Sequence, residues 1–284
     1  MSPVGPWLTY VAERSPPAAL LFVASGIALA PMAFRGSMDW ALFVACSAGG
    51  FGLLVLVRLA DELKDFEKDK VIHPQRPLPR GLLTLAQART AMRLVSLLLV
   101  LAAALGALYW TRLGGILLGV TVAYVWLMYQ EFFIGRKLSE APMLYALTHQ
   151  LVVFPLYGWP GAFVDEALFA SRGYPAWLLY NFGASMTFEI CRKLDPRAHQ
   201  LEGTYLHHYG RWTTAAIISI FVVLSICAGI AAGHAAWLLP VQIPLLLSLL
   251  LIPLKPGRFK LIERLSMVAA GLHVWAPACQ RAFA

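Results

Sequence analysis

Nine long apolar runs constrain this chain more than any other feature of its sequence. They lie at residues 17–34, 40–59, 94–110, 113–130, 143–163, 175–190, 213–232, 235–254 and 261–277. A helix needs about 20 apolar residues to cross the hydrocarbon core of a bilayer. We therefore expect an all-α integral membrane bundle of about nine transmembrane helices, forming one domain over residues 1–284. The chain is only 13% charged, about half the share in soluble domains, which excludes a soluble globular enzyme.

The positive charges predict how this bundle is oriented. When the loops between the nine runs are assigned alternately to two sides, 19 of the 23 Lys and Arg residues fall on one side and 4 on the other. Short loops rich in Lys and Arg stay in the cytoplasm, so the N-terminus is expected to be cytoplasmic. Basic loops at a lipid surface also explain the net charge of +8 without a nucleic-acid partner. We expect a multi-pass protein of the cell inner membrane.

The acidic residues are few, and they cluster at the cytoplasmic end of the second run. Five of the 15 Asp and Glu residues lie within residues 61–69. If the helix continues, Asp61, Asp65 and Asp69 form a row at i, i+4 and i+8, where like charges repel one another. A divalent cation between the carboxylates would remove this repulsion, and Mg²⁺ with substrate phosphate oxygens suits such ligands. A solvated helix end is the other interpretation of this spacing.

The segment after the acidic row carries a specific motif. It reads Asp61-x3-Asp65-x3-Asp69-x4-Pro74-x-Arg76-Pro77-Leu78-x2-Gly81. This resembles the first aspartate-rich motif of the UbiA superfamily of intramembrane prenyltransferases, in which N-x-x-x-D-x-x-x-D precedes P-x-R-P-L-x-x-G. Asp61 stands where that family usually has Asn. The resemblance implies nine spans, a cytoplasmic N-terminus, an isoprenyl diphosphate substrate and Mg²⁺ bound by Asp61, Asp65 and Asp69.

The second motif of the resembled family, D-x-x-x-D, is altered here. Glu189 takes the place of the first aspartate, whereas Lys193 stands four residues later and Asp195 lies two residues too late. Either Glu189 binds a second metal ion, or Arg192 and Lys193 bind the diphosphate directly and replace metal charge with side-chain charge. A basic stop at a helix end explains the same residues without any substrate.

Further candidates come from the ends of other runs. The resemblance implies a Tyr and a Lys-Arg pair after the fourth run, for which Tyr129, Arg136 and Lys137 are loose matches. Tyr205 follows the second motif. We therefore predict that one group of residues acts catalytically and another binds substrate. The predicted catalytic residues are Asp65, Asp69, Glu189 and Tyr129; the predicted metal ligands are Asp61, Asp65, Asp69 and Glu189; the predicted substrate-binding residues are Arg76, Arg136, Lys137, Arg192, Lys193 and Tyr205. His149 and Asn181 are interpreted as interhelical hydrogen-bond partners.

The resemblance implies a magnesium-dependent prenyltransferase that ionises an isoprenyl diphosphate and transfers the prenyl group to an acceptor, with an aromatic acceptor favoured. Because the second motif departs from the family pattern, a terpene cyclase that needs no external acceptor is the first alternative. A non-catalytic membrane scaffold is the second alternative. The partners expected are the isoprenyl diphosphate, an acceptor that the sequence does not identify, and the lipid bilayer.

Overall fold

A computed structural model of the chain describes residues 5–199 and 204–283. These residues form helices and short helical turns, and no β-strand occurs among them. The helices are α1 (Gly5–Arg14), α2 (Pro17–Arg35), α3 (Trp40–Lys64), α4 (Phe66–Ile72), α5 (Leu85–Tyr109), α6 (Arg112–Tyr129), α7 (Gly135–Ser139), α8 (Pro142–Gln150), α9 (Val153–Val164), α10 (Gly173–Cys191), α11 (Tyr205–Ala231), α12 (Ala235–Ser248), α13 (Leu251–Leu254) and α14 (Phe259–Phe283).

The expectation of an all-helical membrane protein is confirmed. Helices occupy the apolar runs, and in the described part of the chain six segments are long and apolar enough to cross a membrane. These segments are α2, α3, α5, α6, α11 and the segment Ala235–Leu254, which joins α12 and α13. The fifth run is divided into α8 and α9, so it is not one continuous helix. The count of nine crossings and the cytoplasmic N-terminus stay predictions.

Polar residues at the helix ends correct the boundaries read from hydropathy. α5 begins at Leu85 rather than at residue 94, because Thr84 and Gln87 form a capping box that satisfies the first backbone N–H groups. α11 begins at Tyr205 rather than at residue 213, because the Thr204 hydroxyl caps it. Within α11, Gly210 adopts a φ of 75°, which bends the chain just after its first turn.

The helices pack in chain order around the bundle. α2, α3, α5, α6 and α9 form one half, α10, α11, α12 and α14 form the other, and α14 closes the ring against α2. A buried polar network joins the second half: the Gln242 amide nitrogen lies 2.8 Å from the Ser225 hydroxyl and 2.6 Å from His273 Nε2, and the Ser225 hydroxyl donates to the carbonyl oxygen of Tyr180. Such bonds hold helices together in lipid, where the hydrophobic effect between helices is absent.

Glycine allows a close helix contact in the first half, between α5 and α6. A Cβ atom at Gly115 would lie 2.5 Å from the carbonyl oxygen of Ala103 and 2.5 Å from the Ala107 methyl group. These neighbours are backbone and a short side chain, so neither can move aside cheaply. Gly119, one helical turn later on α6, has open space where its Cβ would be.

We predict that Gly115→Ala lowers the apparent melting temperature of the purified protein in detergent, because overpacking costs about 1–3 kcal/mol. Gly119→Ala is the matched control on the same helix, and we expect it to leave the melting temperature unchanged or slightly raised, since Ala favours helix over Gly. Equal effects of the two substitutions would contradict the close α5–α6 contact.

Candidate active site

The acidic row lies where α3 passes into α4. α3 ends at Lys64, and Asp65, with φ −85° and ψ 2°, links it to α4. The helix is therefore not continuous through the row. The i to i−4 hydrogen bonds nevertheless persist, because the Asp65 N–H donates to Asp61 O at 2.9 Å and the Asp69 N–H donates to Asp65 O at 2.8 Å. The three aspartates thus keep nearly the stacking that the i, i+4, i+8 spacing predicts.

The loop after α4 folds back on this row. Arg76 donates from one guanidinium nitrogen to both carboxylate oxygens of Asp69, at 2.7 and 2.6 Å. Leu78 is buried and anchors the loop in the core, and Gly81, with a φ of 77°, closes a turn through its N–H to Leu78 O at 3.0 Å. The Arg, Leu and Gly of this segment therefore have separate structural tasks: ion pairing, anchoring and a left-handed turn.

Helix α1 clamps the same region from the N-terminal side. Arg14 donates to the buried Glu62 carboxylate at 2.5 Å, and Arg80 donates to both oxygens of Glu13 at 2.8 and 3.0 Å. The Arg80 hydrogen bonds lower the pKa of Glu13. Glu62 follows Asp61 directly in α3, so the α1 contact neutralises a buried acid beside the candidate metal ligands.

The altered second motif forms an ion-paired cluster at the end of α10. Glu189 is buried, and its carboxylate lies 2.6 Å from the Arg192 guanidinium and 2.7 Å from Lys193 Nζ. The Glu189 carboxylate is the main reason why the pKa of Arg192 is raised. One acid faces two bases here, so the cluster carries an excess of positive charge.

The two motifs meet at Tyr145, in α8. Lys64 Nζ lies 5.3 Å from the centroid of the Tyr145 ring, and Lys193 Nζ lies 5.9 Å from the same centroid. These distances suit cation–π contacts. Asp61 also acts electrostatically on Arg192, on the opposite motif. Carboxylates from the end of α3 and cations from the end of α10 therefore border one common space.

Comparisons with known proteins identify the family and the fold of this chain. A family model described as the UbiA prenyltransferase family matches residues 19–261. The chain belongs to the UbiA prenyltransferase family. A solved structure described as digeranylgeranylglyceryl phosphate synthase in membranes is similar to it, with a TM-score of 0.64 and 14% sequence identity over 98% of this chain and 99% of that one. At this identity the likeness is one of fold. A search of curated proteins finds no match.

The predicted UbiA metal ligands differ in how much of their charge is already compensated. Asp69 forms an ion pair with Arg76, and Glu189 forms ion pairs with Arg192 and Lys193. Asp61, in contrast, is partly exposed, and its carboxylate lies 3.5 Å from Lys64 Nζ. Burial raises the pKa of Asp65, and the neighbouring Asp61 and Asp69 carboxylates raise it further, against Lys64 and Lys68. Within residues 5–199 and 204–283, no three His, Cys, Asp or Glu residues come together as a metal site.

The remaining predicted residues lie at various distances from this space. Tyr205 is buried, and Glu189 and Arg192 act electrostatically on it, so it borders the α10 cluster. Arg136 and Lys137 are exposed on α7. The Tyr129 ring packs edge-on against Trp126, whose indole N–H bonds Ser96 of α5. Tyr129 thus lies on the side of α6 that faces α5, and its catalytic role stays a prediction. Glu202 and Gly203 of the second motif are outside the described residues.

Lys64 and Tyr145 lie at the site although the sequence does not predict either of them as a site residue. Tyr145 belongs to no motif in the sequence. The one sequence feature that relates it to the site is its position in α8, four residues and about one helical turn before His149. Phe132, whose ring centroid lies 5.5 Å from that of His149, belongs to a segment with an unusual backbone. Glu131, Phe132 and Phe133 all have left-handed φ values, of 48°, 53° and 59°. Each such residue costs about 1–2 kcal/mol, and backbone strain of this kind is common at functional sites.

An apolar cavity lies in another part of the bundle. It measures about 380 Å³, has apolar walls and lies between α3, α5, α6 and α9, with Gly49 and Gly52 along its α3 side. Asp61 follows Gly52 by nine residues, which is about two and a half helical turns, so the two face opposite sides of α3. This cavity is separate from the carboxylate cluster.

We predict that Asp69→Ala loosens the UbiA motif loop, because it leaves Arg76 without its buried counter-charge. The expected cost is about 2 kcal/mol, measured as a lower melting temperature and faster trypsin cleavage after Arg80. Glu67→Ala is the control: Glu67 lies on the same helix in an exposed pair with Lys70, and such pairs contribute less than about 1 kcal/mol. Equal sensitivity of the two variants would contradict the anchoring role of Asp69.

Proposed function

We propose that this protein transfers the prenyl group of an isoprenyl diphosphate to an acceptor within the membrane. Mg²⁺ would bind at the C-terminal end of α3, beside Asp61 and Asp65. Family membership supports the reaction class. The observation that carries the site assignment is the convergence of Lys64 and Lys193, from the two family motifs, on the ring of Tyr145. The site faces the cytoplasm in this proposal, as the distribution of basic loops predicts.

The donor set fits one magnesium ion better than two. Mg²⁺ is bound through one or two carboxylates, with waters and substrate phosphate oxygens completing its six ligands. Asp61 and Asp65 supply two carboxylates whose mutual repulsion a cation would relieve. When bound, the ion would neutralise the negative charge that grows on the departing diphosphate. Metal binding by Asp69 and Glu189 stays a prediction from the sequence, and in the structure each of these carboxylates already contacts cationic side chains.

The cationic side chains would hold the diphosphate from the other side. Lys193 and Arg192 present ammonium and guanidinium groups beside Glu189, and charge-assisted bonds from such groups to phosphate oxygens are strong. Lys64 of α3, whose ammonium group lies against the Tyr145 ring, would provide a further positive charge for the diphosphate. In this arrangement Lys193, at the place of the second aspartate of the family motif, binds the anion directly. Arg76 acts indirectly, by fixing Asp69 and the motif loop.

Aromatic side chains flank the proposed site, where Phe132 contacts the His149 ring that stacks on Tyr145. The Phe132 ring lies edge-on to Tyr124 at 5.6 Å, and Tyr124 is fixed by a hydrogen bond from its hydroxyl to Thr148 O at 2.6 Å. Rings of this kind stabilise a developing allylic cation at C1 by about 0.5–2 kcal/mol. They also exclude water, which would otherwise convert the cation into an alcohol.

An aromatic compound is the acceptor class that we propose, on the pattern of the family. The similar solved structure is described as a digeranylgeranylglyceryl phosphate synthase. A glycerol phosphate derivative is therefore the second acceptor to test beside an aromatic one in the experiment described below. A cyclase would instead form cyclic hydrocarbon or terpene alcohol from the diphosphate alone.

The decisive experiment incubates purified protein in detergent with Mg²⁺ and radiolabelled geranyl, farnesyl or geranylgeranyl diphosphate, with and without acceptors. We expect acceptor-dependent release of diphosphate. Asp65→Asn should lower this rate by about 100-fold or more, because it removes a carboxylate that would hold the Mg²⁺ ion and so weakens the stabilisation of the leaving group. Lys70→Met, on the exposed side of α4, is the control and should keep full activity. Abundant cyclic product without acceptor would refute the transferase assignment.

The role of Lys193 has its own test in the same assay. We expect Lys193→Met to raise the donor KM about tenfold with a smaller change in kcat, because one charged bond to the diphosphate is lost. Lys70→Met again provides the matched control. An unchanged KM would mean that Lys193 only compensates Glu189 at the end of the helix.

A further inference from the structure

His149 has an unusual hydrogen-bond pattern for a buried histidine. Its Nδ1 lies 2.8 Å from Tyr145 O, and because a carbonyl oxygen only accepts, Nδ1 carries the proton. Nε2 then presents a lone pair. This atom is buried and has no hydrogen-bond partner among the described residues. The whole residue is only 7% exposed, so bulk water does not fill that role.

His273 shows what a purely structural histidine looks like in the same protein. Its Nδ1 likewise bonds the carbonyl oxygen four residues earlier, of Ala269, and it is 1% exposed. Its Nε2, however, lies 2.6 Å from the amide nitrogen of Gln242. Both ring nitrogens of His273 are therefore used, whereas His149 keeps one nitrogen available.

The available nitrogen belongs to a ring that adjoins the proposed diphosphate site. The His149 ring stacks on Tyr145 with centroids 4.0 Å apart and 12° between the planes, and Tyr145 is the ring that Lys64 and Lys193 approach. Phe132 meets His149 edge-on at 5.5 Å. The charged groups that act on His149 are Lys64 and Asp61 of α3 and Glu189 of α10.

His149 lies further along α8 from the exposed turn α7 than Tyr145, the residue that the proposed phosphate-binding groups Lys64 and Lys193 approach. α8 follows the exposed turn α7, and His149 lies one helical turn, about 6 Å, further along the helix than Tyr145. A diphosphate held by Lys64 and Lys193 would have its C1 carbon on this inner side, where the acceptor must also bind. A lone pair there is placed to receive a proton rather than to bind the anion.

We propose that His149 is a catalytic residue that accepts the proton released when the new bond forms. This inference rests on the proposed function. The C1–O bond of the donor breaks and its electron pair leaves with the diphosphate. An electron pair from the nucleophilic carbon or oxygen of the acceptor then forms the bond to C1, and the hydrogen on that atom passes to Nε2 as a proton. Asp61 and Glu189 would stabilise the resulting imidazolium, against the opposing charge of Lys64, before it returns the proton to water.

The catalytic test separates ionisation from proton transfer. Donor labelled with ¹⁸O at the bridging oxygen reports reversible C1–O cleavage by positional exchange, and the prenyl products formed with water and with 4-hydroxybenzoate report capture. We expect His149→Gln to change the exchange rate by less than about twofold and to lower capture by about tenfold or more, in the range that acid–base catalysis contributes. His207→Gln, at an exposed position on α11, is the matched control.

A second measurement tests the unpaired nitrogen without any substrate. Replacing a buried acceptor that has no partner by an apolar ring is neutral or stabilising, whereas replacing a bonded one leaves its partner unpaired. We therefore expect His149→Phe to keep or raise the melting temperature, and His273→Phe to lower it by more than about 2 °C.

The outcomes of these tests are distinguishable. No positional exchange together with no acceptor-dependent release of diphosphate in the wild-type protein would overturn the proposed function, and this inference with it. Exchange and capture that fall together in His149→Gln, or capture that is unchanged, would overturn the role of His149 alone. A fall in melting temperature for His149→Phe equal to that for His273→Phe would show that its nitrogen is structural.

Discussion

Charge pairing at one end of an apolar bundle is the constraint on which the rest of this structure depends. An uncompensated charge is costly at membrane depth, so each buried acid near the site is paired with at least one cationic side chain. Arg14 of α1 faces Glu62, Arg76 of the motif loop faces Asp69, and Arg192 with Lys193 faces Glu189. The first pair fixes α1 against α3, the second fixes the motif loop against α4, and the third neutralises Glu189 locally at the end of α10. Much of the local architecture around the site follows from satisfying carboxylates that the apolar helices cannot solvate.

The walls of the bundle follow a different rule. Lipid tails are as apolar as the side chains, so helix association depends on close packing and on hydrogen bonds between helices. Gly115 lets α5 and α6 approach to backbone contact, and the Tyr180, Ser225, Gln242 and His273 network joins α10, α11, α12 and α14. The apolar cavity beside Gly49 and Gly52 belongs to this packing regime. The polar end and the apolar walls are therefore built from different interactions along the same helices.

The sequence predicted the helical class, the apolar segments and the first motif, because these depend on local patterns. Hydropathy missed the starts of α5 and α11, since polar turns capped by Thr84 and Thr204 extend each helix beyond its apolar run. The sequence interpretation of His149 as an interhelical hydrogen-bond partner describes His273 better, because His273 of α14 bonds Gln242 of α12. Neither the spare nitrogen of His149 nor the meeting of Lys64 and Lys193 at Tyr145 is visible locally. Both depend on contacts between segments far apart in the chain.

The altered second motif gains a physical interpretation from its charge balance. A lysine in place of an aspartate changes the local charge by two units, and the end of α10 then carries two bases for one buried acid. The end of α3 keeps Asp61 and Asp65 less compensated, and burial raises the pKa of Asp65. One side of the site thus favours a cation and the other an anion. A diphosphate bound between them would need metal charge on the α3 side only. On the α10 side Lys193 would provide the positive charge that a second ion supplies when both acids are present.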